Sequence, residues 1–125
     1  YLRTHTTTGN NCHIGNACEI KNSIIMDNTN VPHHNYVGNS VIGRDCNLGS
    51  GTKIANLRLD KKNITVTLNG NRINTGRRKL GIIMGDNVQT GINSMINTGT
   101  FIGNNVFVGP GAMVTGEIQP DAKVF

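Results

Sequence analysis

The stretch MGDNVQTGINSMINTGTFIGNNVFVGPGAMVTG, residues 84–116, repeats an aliphatic or β-branched residue at every sixth position. The same phase holds in the earlier stretch from Ile42 to Ile54. The repeated positions are Ile42, Leu48, Ile54, Met84, Thr90, Ile96, Ile102, Val108 and Val114. Gly follows most of them, and a small residue usually lies four positions later, as at Cys18, Cys46, Thr52, Ser94, Thr100 and Ala112. A set of three, Ile14, Ile20 and Met26, keeps the same period in a shifted register.

A six-residue period predicts an all-β fold, a single-stranded parallel β-helix. Each hexapeptide would supply a short strand with one side chain pointing inward, followed by a tight turn at which Gly or Asn adopts positive φ. Coils stacked about 4.8 Å apart would place equivalent side chains in ladders, which build a core without aromatic residues. An ordinary β-sandwich does not explain one phase held over so many repeats.

Two segments interrupt the period. Residues 26 to 42 span sixteen positions with VPHHNY, residues 31–36, in their middle, so we expect displaced chain at Pro32. Residues 57–81 lack hexapeptides, and the alternation in NITVTLNGNRI, residues 63–73, predicts a hairpin-like insertion that turns at Leu68–Asn71. Insertions in solenoids project from one face and often bind ligands.

Composition narrows the class of protein. Aromatic residues make up 4% of the chain, there is no Trp, and no apolar run reaches a membrane-spanning length. The N-terminus lacks the apolar core of a signal peptide. We therefore interpret residues 1–125 as one domain of a cytoplasmic protein, a C-terminal fragment of a longer chain. The three cysteines have no CxxC spacing, so we expect small buried side chains and neither disulfides nor a zinc site.

The positive charge is concentrated in the insertion. Residues 57–79 hold seven of the twelve basic residues and one of the seven acidic residues. Their formal charge is therefore +6, and the remainder of the chain carries −1. The segment has no aromatic residue that could stack on bases, which argues against nucleic-acid binding. A solvated surface or a site for phosphorylated small molecules remains.

The IGxxxx units resemble the hexapeptide repeats of the left-handed β-helix acyltransferases, whose coils take about 18 residues and whose active sites lie between neighbouring helices of a homotrimer. The closer resemblance is to the C-terminal acetyltransferase domain of the bifunctional enzymes that join glucosamine-1-phosphate N-acetylation to UDP-N-acetylglucosamine synthesis, in particular the archaeal-type sugar-1-phosphate nucleotidylyltransferases. It extends over residues 1–23, 32–60 and 75–93.

This resemblance implies roles for the residues that match the family's motifs. His33 would be the general base, and Tyr36, three residues later, would contact the substrate. Arg3 and Lys21 match phosphate-binding positions. Their spacing of 18 residues, one full coil, independently predicts that the two side chains stack and share an anion.

Further matches are less direct. Asn47, Asn56 and Lys79 resemble substrate-binding positions, and Glu19 resembles an acidic residue that would orient the imidazole or receive charge. Acetyl-CoA would be the co-substrate and would run along the groove between helices. Backbone groups near Gly91 and Gly109 would contact it, and the basic insertion would be available for its phosphates. The resemblance also implies a homotrimer and an N-terminal nucleotidylyltransferase domain in the parent chain, with no nucleic-acid or membrane partner.

Competing hypotheses remain. The chain could be a non-catalytic trimerisation or regulatory tail of a nucleotidylyltransferase, for which the set of polar side chains would be superfluous. It could also acylate another sugar nucleotide or a serine-like acceptor. A metal site formed by the histidines is disfavoured, because the sequence has no HxH or HxxxH pair with a nearby carboxylate or Cys at ligand spacing. These histidines are His5, His13, His33 and His34.

Overall fold

The computed structural model describes all 125 residues, and the regular structure consists entirely of strands. No helix has the length and hydrophobicity needed to cross a membrane. The strands in chain order are β1 (Thr7–Thr8), β2 (His13–Asn16), β3 (Glu19–Lys21), β4 (Ile24–Ile25), β5 (Asn30–His33), β6 (Tyr36–Gly38), β7 (Val41–Ile42), β8 (Asn47–Leu48), β9 (Lys53–Ile54), β10 (Thr65–Leu68), β11 (Asn71–Asn74), β12 (Ile83–Met84), β13 (Gln89–Thr90), β14 (Met95–Ile96), β15 (Phe101–Ile102), β16 (Phe107–Val108), β17 (Met113–Val114), β18 (Glu117–Ile118) and β19 (Lys123–Val124).

Three parallel sheets form the faces of a triangular left-handed β-helix, as predicted. The Val41 face has the order β1-β4-β7-β12-β15-β18, the Asn47 face β2-β5-β8-β13-β16-β19, and the Tyr36 face β3-β6-β9-β14-β17. The chain visits the three faces in that order in each coil. The His33 corner joins the Asn47 and Tyr36 faces, the Asn39 corner joins the Tyr36 and Val41 faces, and the Asp45 corner closes the triangle.

The core consists of ladders of inward side chains, one for each face. Ile20, Val37, Ile54, Ile96 and Val114 form the ladder of the Tyr36 face and are at most 1% exposed. Each buried aliphatic side chain contributes about 1.5–3 kcal/mol relative to exposure to water. Summed over the coils, these ladders replace the aromatic core that the composition lacks.

The corners follow the predicted pattern of small inward residues and left-handed turns. All six of the small residues identified from the repeat are buried, between 0% and 7% exposed. The residue directly before the inward corner residue often has positive φ, and Asn is the most frequent residue there because its short polar side chain tolerates that conformation. These asparagines include Asn11, Asn22, Asn28, Asn39, Asn87, Asn93 and Asn105.

The phase shift near the N-terminus has a different origin from the one predicted. Thr7 pairs with Ile24, and Ile24 with Val41, so the coils that start at Thr7 and Ile24 take 17 residues. The pairs Leu2–Ile20 and Ile83–Phe101 define 18-residue coils. The missing residue lies at the Asn39 corner, where five rather than six positions separate the inward residues. The prediction that Met26 points inward was therefore wrong: Ile25 is 0% exposed and Met26 is 36% exposed.

The expected displacement of the chain at VPHHNY was also wrong. Val31 and Val37 both point inward with 0% exposure, so this segment is an ordinary hexapeptide of the helix. Pro32 lies within β5, which pairs in parallel with β2 and β8. The two histidines and the tyrosine of VPHHNY therefore belong to a coil whose backbone is not displaced.

The insertion leaves the helix after Asn56 at the Asn39 corner and contains the predicted hairpin. β10 and β11 pair antiparallel, and Asn69 and Gly70 form the turn with φ of 52° and 79°. Ile64 and Val66 are buried, and the Asn69 N–H donates to the Glu117 carboxylate of the Val41 face at 3.0 Å. The Leu80 N–H donates to the Asn56 carbonyl at 3.1 Å and so closes the excursion.

The three thiols should differ sharply in reactivity. Cys18 and Cys46 are buried, and burial raises the pKa of the Cys46 thiol, whereas Cys12 is only half-buried in the first coil. Because the thiolate is the reactive form, we expect a disulfide reagent to modify Cys12 quickly and the other two only after unfolding. Absorbance at a fixed reagent excess would measure this, with Cys12→Ser as the control. Three equal fast rates would contradict the sealed core.

Candidate functional site

Two cations lie at the end of the Tyr36 face that is nearest the Asn39 corner. Leu2 is in parallel register with Ile20, so Arg3 lies level with Lys21 in adjacent coils, as the 18-residue spacing predicts. The Arg3 guanidinium forms an ion pair with the Glu19 carboxylate at 2.8 Å. That hydrogen bond raises the pKa of Arg3.

Lys79 adds a third cation from the end of the insertion, where an antiparallel bridge holds it opposite Leu57. The pKa of Lys21 is lowered, first by the neighbouring Lys79 side chain, then by burial, and further by Arg3. Glu19 opposes this effect as the one acidic neighbour. Three cations that share one carboxylate form a site with an excess of positive charge, which favours an anionic ligand.

A hydrogen-bonded group of polar side chains borders the cations. The Asn56 amide donates to the Tyr36 hydroxyl at 3.1 Å and to the Asn39 side-chain carbonyl at 2.8 Å. Gly38 makes this arrangement possible, because a Cβ atom there would lie 2.6 Å from both the Tyr36 hydroxyl and the Asn56 amide nitrogen. The Tyr36 phenol ring therefore lies along its own strand, over Gly38 and toward Lys21.

His33 ends β5 of the Asn47 face, at the His33 corner, where that face meets the edge of the Tyr36 face opposite the cations. It is exposed and level with Asn16 of the preceding coil. His34 is the turn residue, with φ of 52°, and its N–H donates to the Asn16 carbonyl at 3.1 Å. Asn35 points into the corner, and Tyr36 begins the next face. The two adjacent histidines thus have different structural positions.

Glu19 pairs with Arg3 and makes no hydrogen bond to His33. Its hydrogen-bonding partner in this chain is therefore the Arg3 guanidinium, and both roles expected for it toward His33 stay predictions. The carboxylate also lies one coil above Tyr36, in register with it. Glu19 therefore belongs to the charged end of the Tyr36 face.

The remaining residues predicted from the sequence lie on the Asn47 face. Asn47 points outward in register with Asn30 and Gln89. The N–H groups of Gly91 and Gly109 already donate to Val108 and Val124 at 2.7 Å. A Cβ on Gly91 would lie 2.5 Å from the Pro110 nitrogen, and one on Gly109 would collide with Phe125, so both glycines permit close stacking of coils.

The basic side chains of the insertion are partly paired within it. Arg58 forms a two-pronged ion pair with Asp60 at 2.8 and 2.6 Å, and Arg78 donates to the Lys61 carbonyl at 3.1 Å. Arg58, Asp60 and Arg72 line a cavity of about 570 Å³ beside the Asn39 corner. Within one chain, the insertion and the His33 corner therefore lie at opposite edges of the Tyr36 face.

Sequence reasoning missed three residues of this region: Asn35, Gly38 and Asn39. Asn35 could have been found from the repeat, because it lies four positions after Val31, where other coils have Cys, Ser, Thr or Ala. Gly38 and Asn39 look like ordinary turn residues in the sequence. Their contacts with Tyr36 and Asn56 depend on how neighbouring coils stack.

Comparison with known proteins places the chain among hexapeptide-repeat domains. The GMPPB C-terminal domain family matches residues 1–97, and the bacterial transferase hexapeptide (six repeats) family matches residues 81–116. A bifunctional protein GlmU from Methanocaldococcus jannaschii is 42% identical over all 125 residues, and a bifunctional sugar-1-phosphate nucleotidylyltransferase/acetyltransferase from Sulfurisphaera tokodaii is 47% identical over 94% of the chain. The chain spans 30% and 29% of the length of these relatives.

A solved structure supports the fold. PerB from Caulobacter crescentus, in complex with CoA and GDP-perosamine, superposes with a TM-score of 0.75 at 17% identity, covering 96% of this chain and 47% of that one. The chain therefore belongs to the GMPPB C-terminal domain family and corresponds to the C-terminal hexapeptide-repeat domain of archaeal bifunctional GlmU and sugar-1-phosphate nucleotidylyltransferase/acetyltransferase proteins.

Proposed function

We propose that the chain catalyses acetyl-CoA-dependent N-acetylation of an amino-sugar 1-phosphate, converting glucosamine-1-phosphate to N-acetylglucosamine-1-phosphate for UDP-N-acetylglucosamine synthesis. The observation that carries the proposal is a cluster of three cations at one edge of the Tyr36 face, with His33 at the corner that bounds the opposite edge of that face. The name of the Sulfurisphaera tokodaii relative, which includes acetyltransferase, agrees with this reaction.

The phosphate would bind between Arg3, Lys21 and Lys79. A dianion there would relieve the repulsion that lowers the pKa of Lys21, and each cation would donate a charge-assisted hydrogen bond. Tyr36 and Asn56 would hydrogen-bond the sugar phosphate next to these cations. Tyr36 is level with Glu19 of the neighbouring strand, and Lys21 is the next outward position on that strand. With about 7 Å between outward positions and about 4.8 Å between strands, one sugar phosphate can reach both Tyr36 and Lys21.

The reaction then requires a base at the sugar's amino group, and His33 is our candidate. The amine loses a proton to the imidazole, its nitrogen attacks the thioester carbonyl of acetyl-CoA, and the carbon–sulfur bond breaks. The CoA thiolate leaves and takes up a proton, and an acetamide remains on the sugar. An Asn amide or a backbone N–H would stabilise the oxyanion of the tetrahedral intermediate.

A second copy of the chain would complete the site. Asn47 and Tyr36 point outward from two different faces of one β-helix. One ligand could therefore contact both types of side chain only where the β-helices of two chains lie side by side. The Tyr36 face also exposes Met95 and Met113, which border a cavity of about 260 Å³ that an adjacent chain could cover. We propose a homotrimer in a cytoplasmic parent protein that also carries a nucleotidylyltransferase domain.

The exposed methionines also fit the alternative function, a non-catalytic trimerisation or regulatory tail. Such a tail needs the apolar part of the Tyr36 face but neither the three cations nor His33. The two functions therefore make opposite predictions for acetyl transfer.

The test is release of CoA thiol from acetyl-CoA with glucosamine-1-phosphate as acceptor, alongside sedimentation analysis of the same sample. We expect saturable thiol release that depends on the sugar phosphate, from a trimer. Galactosamine-1-phosphate, glucosamine and serine serve as competing acceptors. A folded trimer with no release above background would leave the tail function standing, and faster release with an acceptor that lacks phosphate would overturn the phosphate site.

A further inference from the structure

We infer that Asn35 is a positioning residue that holds the His33 peptide against the next coil. The inference rests on the proposed function for the role of His33 and goes beyond it in naming the group that fixes His33. Asn35 is 2% exposed and lies in the inward ladder of the His33 corner. The other members of that ladder are Cys18, Thr52, Ser94 and Ala112.

Every hydrogen-bonding atom of the Asn35 side chain has a partner. Its carbonyl oxygen accepts from the His33 N–H at 3.0 Å and lies 3.5 Å from the Cys18 sulfur. Its amide nitrogen donates to the Gly49 carbonyl at 2.8 Å and to the Thr52 carbonyl at 3.4 Å. One side chain thus connects the backbone of His33 to the coil below it.

The other corner residues of the ladder do something simpler. The Thr52 and Ser94 hydroxyls each donate to the carbonyl three residues earlier, at 2.8 and 2.7 Å. Each also reaches the next coil, at the Thr90 hydroxyl and the Gly109 carbonyl respectively. Neither accepts a hydrogen bond from the N–H two residues before it, as the Asn35 carbonyl does from His33. Since Cys, Thr, Ser or Ala suffices for coil stacking, the larger amide at position 35 is not required by the repeat.

A buried amide is costly unless all of its groups are paired, so its presence in this coil needs a reason. The coil that carries Asn35 is also the coil that carries His33. Fixing the His33 N–H removes rotation of the peptide from which the imidazole projects. The imidazole would otherwise sample positions out of reach of the amine, and misplacement by about 1 Å can cost a hundredfold in rate.

Asn35→Ser is the matched variant, because serine already occupies this ladder at Ser94. We expect kcat for acetyl transfer to fall about tenfold while KM for glucosamine-1-phosphate changes less than about twofold, because the cations at the other edge are untouched. Thr100→Val is the control. It removes a buried hydroxyl bond of 2.7 Å from the Asn39 corner, in a ladder that already contains Ile82.

A second measurement does not depend on activity. Hydrogen exchange of the His33 amide, followed by NMR, should be at least about tenfold faster in Asn35→Ser than in the parent and unchanged in Thr100→Val. Asn35→Thr serves if the serine variant does not fold, and circular dichroism fixes the folded fraction used to calculate kcat.

The outcomes separate the two proposals. An active parent whose Asn35 variants keep full kcat, or lose kcat and KM together, would refute the positioning role. Unchanged exchange of the His33 amide would refute it as well. An inactive parent with accelerated exchange would instead overturn the proposed function while leaving the structural link intact.

Discussion

His33→Ala should lower kcat for acetyl transfer by about a hundredfold to ten-thousandfold, the range that a general base contributes. The cause is loss of the group that removes the amine proton before attack on the thioester. KM for glucosamine-1-phosphate should change little, because Arg3, Lys21 and Lys79 remain. Steady-state kinetics of thiol release at varied glucosamine-1-phosphate concentration measures both constants.

His34→Asn is the matched control, because Asn93 occupies the equivalent left-handed turn in a later coil. The backbone N–H of residue 34, which donates to Asn16, survives the change. We expect activity within about twofold of the parent. If His34→Asn loses as much rate as His33→Ala, the base is wrongly assigned, and if His33→Ala retains full rate, no base acts at that position.

Lys21→Met should raise KM for glucosamine-1-phosphate by about tenfold to a hundredfold, the value of one hydrogen bond to a charged group. The methionine keeps the apolar part of the side chain, so the coil is preserved. Lys123→Met removes an exposed cation from the Asn47 face and serves as the control. A sugar without the phosphate should show the same KM in parent and variant.

The lowered pKa of Lys21 also predicts how stability and KM change with pH. The pKa of Lys21 is lowered from 10.5 in the folded protein, so the proton leaves at lower pH than in the unfolded chain. The unfolded state then binds more protons in that window, and the free energy of unfolding rises with pH there. KM should rise over the same window as the cation is lost. Lys21→Met should abolish both trends, and an unaltered alkaline profile would contradict the shared site.

The sequence was sufficient to predict much of the fold because a six-residue period of inward side chains is typical of a β-helix. Ile42, Leu48 and Ile54 show this period within a short stretch, and the corners repeat the same turn chemistry. The error at Met26 arose at a corner that is one residue shorter. Such a deletion leaves no local signature, because either Ile25 or Met26 could fill the inward position.

In the candidate site, too, some contacts were predictable from the sequence and others were not. The spacing of Arg3 and Lys21 predicted their stacking, since residues one coil apart are necessarily neighbours. The approach of Lys79 to Lys21 was suggested by resemblance alone, because it depends on where a 24-residue excursion returns. The linkage of Tyr36 to Asn56 across Gly38 involves side chains from different coils, and no period in the sequence encodes it.

By itself, therefore, the sequence determined the ladders, the corners, the hairpin and the identity of the polar residues that the repeat does not need. These follow from local conformation and a constant rise per coil. Only the tertiary structure decided that VPHHNY is an ordinary hexapeptide of the helix, that His34 is a turn residue and that Asn35 holds the His33 peptide. Those outcomes depend on the register between coils and on which buried polar atoms meet, and both are set by packing in three dimensions.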